Sequence, residues 1–148
     1  MSLRRRRPGL VYPVNEDWHY VGDTGEPDWY DPGGGDAWEN AQANFNLGFR
    51  IREAGIVDIQ GLISATSDPP VNGIVVTLPV GYRPSSPVYM SGTGITTADK
   101  YVPATFVLDT AGVLEIADAT IDPYPGAADA LARMYISAQF FLTPPSAP

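Results

Sequence analysis

The chain has 148 residues, 44% hydrophobic and 18% charged, with a net charge of −8 and no Cys, so disulfides and thiolate metal sites are excluded. That length suits one domain with its own core, and no apolar run approaches the ~18 residues that span a membrane. Fifteen Gly and fifteen Pro are too much punctuation for a helical protein and suit many short strands joined by tight turns.

In chain order, residues 1–17 read as an extended arm. Pro8 and Pro13 bias it away from helix. Arg4, Arg5, Arg6 and Arg7 hold four of the nine basic residues, and no apolar stretch follows them as it does in a signal peptide. The rest of the chain sets five basic residues against 17 acidic ones, a net of −12. So acidic a body argues against a nucleic-acid-binding face.

Residues 18–44 form a loop-rich segment that holds all three Trp. Trp18, Tyr20, Trp29, Tyr30 and Trp38 cluster there. Aromatic faces on a β scaffold stack on sugar rings, fill cores and anchor subunit contacts, and all three readings stay open at this point. The stretch from Asp23 to Asp36 is acidic enough to hold a calcium ion but lacks the ligand spacing of an EF-hand loop.

From Phe45 onward the apolar period is two, which predicts strands over 45–52, 56–65, 73–78, 101–108, 112–117 and 133–142. Val88, Tyr89 and Met90 begin another. The segment 73–78 is nearly all apolar, as in a central strand covered on both faces. One helical turn is expected at 126–133. "IREAGIVDI" (51–59) and "LDTAGVLEI" (108–116) share one pattern, with Gly55 and Gly112 placed to close hairpin loops at positive φ. Such hairpins suit a single antiparallel β-sandwich, jelly-roll-like, over residues 18–148.

No catalytic signature stands out. His19 is the only His, no Ser lies in a nucleophile elbow, and most acids sit at turn positions beside Gly or Pro. No enzyme activity and no cofactor are expected. His19 is expected to be a packed or surface residue.

The remaining signal is "TLPVGYRP". Pro79 ends a strand, Gly81 allows a sharp redirection, and Arg83 is held extended before Pro84. The segment is expected to cross rigidly between sheets, with the Tyr82 ring over the edge and its hydroxyl in water. Together with Trp18, His19, Val21, Gly22, Gly25 and Pro27, the run Leu78, Pro79, Gly81, Tyr82, Arg83 and Pro84 resembles motifs of the β-sandwich module of bacteriophage minor tail proteins and tail-fibre heads, of the type found in phages of actinobacteria. The resemblance spans roughly residues 16–142. It implies a homotrimeric virion protein on the exterior of the particle, in contact with other virion proteins and with a host-surface glycan. Capsid decoration and a free-standing carbohydrate-binding module are the alternatives. The arm, through Arg4 to Arg7 and Tyr12, is then the docking element.

Overall fold

In the computed structural model, which describes residues 16–33, 35–66, 73–96, 98–119 and 131–142, the period-two segments form strands. They are β1 (His19–Tyr20), β2 (Trp38–Asn40), β3 (Gly48–Arg52), β4 (Ile56–Ala65), β5 (Ile74–Thr77), β6 (Val88–Thr96), β7 (Tyr101–Leu108), β8 (Val113–Ala119) and β9 (Leu131–Phe141). The one helical element among the described residues is a 3-10 turn, Glu53–Gly55. All nine strands belong to one sheet, in the order β1-β3-β4-β9-β6-β7-β8-β5, with β2 pairing on β4. Every named pair is antiparallel. The fold is all-β, and its ladder runs unbroken from end to end as one curled half-barrel. The docking arm's Arg4, Arg5, Arg6, Arg7 and Tyr12 lie outside the described residues.

Alternation decides which face each side chain takes. In β4 and β9 the pairs Val57–Phe140, Gly61–Ile136 and Ile63–Met134 point inward, and Asp58–Gln139, Gln60–Ser137 and Leu62–Tyr135 point outward. The inner face meets Phe106, Leu108 and Leu114 from β7 and β8 across a core in which Trp38, Phe49, Ile63 and Met134 are all fully buried. Each fully buried side chain of this size stabilises the fold by roughly 1.5–3 kcal/mol relative to exposure.

The strand β5 corrects the sequence reading. It is terminal, not central, in the ladder. Its apolar run is explained by what covers its outer edge. Trp29 bridges Val76, the Tyr30 N–H donates to Val75 O at 3.0 Å, and the Ala37 N–H donates to Tyr30 O at 2.9 Å. The 29–37 strap therefore leads the ladder from β5 back to the start of β2. Two further expectations change. Phe45 does not join the inner row with Leu47 and Phe49; it stacks on the outward Tyr135, ring centroids 5.5 Å apart. Of the turn expected at 126–133, residues 126–130 lie outside the described residues and 131–133 are strand.

Residues 79–87 carry the chain from β5 past β8 and β7 to β6, within one sheet. Tyr82 N–H closes a turn on Pro79 O at 3.1 Å, and the Arg83 Nε–H caps Leu78 O at 2.9 Å. The Arg83 side chain lies over the β7–β8 hairpin at Gly112. That glycine has φ 86°, and a Cβ there would sit 2.6 Å from Leu78 O and 2.7 Å from Arg83 Nε. Gly81 has φ 103° with open space around it.

The two glycines should separate under substitution. Gly81→Ala carries only backbone strain, about 1 kcal/mol. Gly112→Ala adds a steric clash and should cost about 1–3 kcal/mol more. Urea unfolding checks this; equal midpoints for the two variants would place the crossing wrongly.

Candidate functional site

The two sequence motifs, some sixty residues apart, meet in space. Gly22 and Gly25, both at positive φ, bend the chain after β1, and the Gly22 N–H donates to Pro27 O at 2.8 Å. A Cβ on Gly22 would lie 2.9 Å from Trp29 Nε1, so the turn also seats Trp29 in the core. The turn brings Glu26 to His19, with its carboxylate 2.7 Å from Nδ1. On the other side of the ring, Glu16 Oε1 lies 2.8 Å from Nε2. The Tyr82 hydroxyl donates to the same Glu16 oxygen and lies 3.1 Å from His19 Nε2. The second Glu16 oxygen accepts from the Ile51 N–H at 2.9 Å, and the Glu16 N–H returns a bond to Ile51 O. Tyr82 is thus bonded to carboxylate, not left in water as its position in a turn implied. Its ring packs edge-on against both His19 and Phe49, and His19 stacks on Phe49 at 5.4 Å.

The charges follow from the geometry. An ionised carboxylate only accepts, so a ring with a carboxylate at each nitrogen donates twice and is an imidazolium. The hydrogen bond to Glu26 does most to raise the His19 pKa above its ordinary 6.5, against burial, with Glu16 adding to it. For Glu16 burial acts upward, but bonds from Tyr82, Ile51 and His19 together hold its pKa below 4.5. Burial and the Glu16 charge push the Tyr82 phenol well up.

Trp18 directly precedes β1 and Tyr20 follows His19 in it, so what fixes His19 also places its neighbours. His19 is opposite the inward Phe49, and Tyr20 is opposite Gly48. Trp18 and Tyr20 line an open cleft of about 450 Å³ with Asn44, Phe45, Asn46 and Gln60. A Cβ on Gly48 would come within 3.0 Å of the Tyr20 ring, so the bare glycine lets the ring lie on the sheet. A second cleft, of about 280 Å³, shares Trp18 and Gln60 with the first and is also lined by Arg50, Ser137 and Gln139. Arg50 lies over the Trp18 ring, 4.6 Å from its centroid. Asp58, buried beneath, holds Arg50 Nε at 3.2 Å and Arg52 Nε at 2.6 Å.

The aromatic cluster read from the sequence therefore divides. Trp18 and Tyr20 line the cleft, Trp29 and Trp38 belong to the core, and Tyr30 packs partly buried against it. The crossing residues Leu78 to Pro84 build the turn that presents Tyr82. Glu16 and Glu26 were missed as a pair. Glu16 fell in the arm and Glu26 read as a turn acid; the only signal was their spacing of three and seven from a lone His. Neither cleft is lined by His19, Glu16, Glu26 or Tyr82. No group of three or more His, Cys, Asp or Glu among the described residues could hold a metal ion. Compared with known proteins, the chain matches no family model, no curated protein and no solved structure.

The cluster sets a pH optimum for stability. A raised His pKa contributes fully below pH 6.5 and is lost as pH climbs through the folded value; a lowered Glu pKa contributes fully above pH 4.5 and is lost as pH falls through the folded value. Resistance to urea should peak between pH 4.5 and 6.5 and decline on the alkaline side, and His19→Gln should flatten that decline. Proton NMR of the single imidazole reads the midpoint directly; a value at or below 6.5 would contradict the double-donor assignment.

Proposed function

We propose that the chain is a non-enzymatic structural component of a bacteriophage virion, a homotrimeric β-module displayed on the particle's exterior, in a tail tip or fibre head, for contact with the host surface. One observation carries this reading. The two motifs on which the resemblance to phage tail modules rests meet at one point, where His19 of the first and Tyr82 of the second lie 3.1 Å apart and both contact Glu16, with Glu26 at the other ring nitrogen of His19. Motif residues occupied in this way serve architecture, which suits a display module. Trimer formation rests on the resemblance to those modules.

Two measurements test the reading. A mass-spectrometric inventory of purified particles should contain the chain at the low copy number of a tail part. Capsid-scale copy number would favour decoration of the head instead, and absence from particles would end the virion assignment. Light scattering of the purified protein should give three times the chain mass of 15.9 kDa, and a monomer at micromolar concentration would contradict the trimer.

A further inference from the structure

We infer that the cleft between Trp18, Tyr20 and Gln60 binds a neutral oligosaccharide, with a sugar ring against the aromatic walls and its hydroxyls on the side-chain amides. This deepens the surface-contact reading above and rests on it for its biological meaning. The lining is the argument. Two half-buried aromatic rings offer C–H-rich sugar faces a place to stack. Asn44, Asn46 and Gln60 each carry both a donor and an acceptor, matching hydroxyls that are both as well. Primary amides and rings without carboxylates fit a neutral polyol better than an ion.

The walls are also held in place before any ligand arrives. Arg50 covers one face of Trp18, and buried Asp58 holds the Arg50 guanidinium. Tyr20 lies over Gly48, and His19 between them is fixed from the opposite side by its two carboxylates. Preorganised walls reduce the ordering cost of binding. Arg50 and Arg52 both face Asp58, and the chain as a whole carries −8, so the site suits a neutral glycan and not an acidic one.

Native affinity electrophoresis of the full chain, in gels containing galactomannan, arabinogalactan, dextran or polygalacturonate, tests this. At least one neutral polysaccharide should retard the protein. The same polysaccharide should shield Trp18 from acrylamide quenching, which reads this residue because Trp29 and Trp38 are buried. Trp18→Ala and Gln60→Ala should each weaken retardation by about tenfold or more, and Thr110→Ala, exposed in the β7–β8 hairpin, should not. Asn44→Ala, in an exposed loop, keeps the test sharp if the Trp18 variant misfolds. Absence of retardation by every neutral polysaccharide overturns the inference, as does retardation that survives both the Gln60 and the Asn44 changes. Retardation by polygalacturonate alone overturns it too, and moves the site to Arg50 and Arg52. A chain found in particles that binds no polysaccharide loses this inference and keeps the virion role; a chain that binds through Trp18 but is absent from particles does the reverse.

Discussion

A curled sheet with two ends must tie them together or leave two strand edges open to pair with other chains. Here one tie is the bond from Tyr82 to Glu16. Tyr82 sits in the crossing that leaves β5, the last strand of the ladder, and Glu16 is hydrogen-bonded along β3 through Ile51, beside the first. The strap at Trp29 and Tyr30 makes a second tie, from β5 to the start of β2. His19 connects the two ties, because Glu26 belongs to the turn that leads into the strap. The ion pairs are only partly buried, with side-chain exposures of 30% for His19 and 23% for Glu16. Screening by water therefore limits what each contributes alone, and their value lies in joining three segments at one point.

The same point organises the outer face. Strand β1 is two residues long and has little pairing to hold it. Its inward side chain, His19, is fixed by two carboxylates, a phenol and the Phe49 ring. Period-two geometry then sends Trp18 and Tyr20 outward, where Arg50 and Gly48 complete their seating. A polar contact on one side of a short strand thus sets the walls of a cleft on the other. Architecture and candidate binding surface are separate in space but linked through three consecutive residues.

How much of this was legible in the sequence depends on the range of the interactions. The alternation in 56–65 and 101–108 gave strands with the observed bounds, because strand periodicity is local. The shared Ala-Gly pattern gave both hairpins, since positive φ at Gly55 and Gly112 is a demand of the turn itself. The place of β5 was not legible. A strand buried on both faces reads as central, and only the strap, more than forty residues earlier in the chain, makes it a covered end strand. The aromatics of 18–44 could not be sorted either, since an irregular segment has no period to separate Trp38 in the core from Trp18 in the cleft. Glu16 and Glu26 were hidden because Glu16 fell in the arm and Glu26, between Gly25 and Pro27, read as a turn residue; the Tyr82 partner of Glu16 is 66 positions away. A rigid crossing at 79–84 was expected, but between two sheets; it runs within one, and its cap, Arg83 lying over Gly112 to bond Leu78 O, depends on a glycine from a later hairpin.

The central claim is that the two motifs act as one unit through His19 and Tyr82. A double-mutant cycle on folding stability with His19→Gln, Tyr82→Phe and the double variant, run at pH 6, tests it most directly. Residues in one hydrogen-bonded network give a coupling energy of about 0.5–3 kcal/mol, and that is the result expected. Strict additivity, with a coupling of about zero, would mean that the motifs stabilise the sheet independently, and would contradict the account.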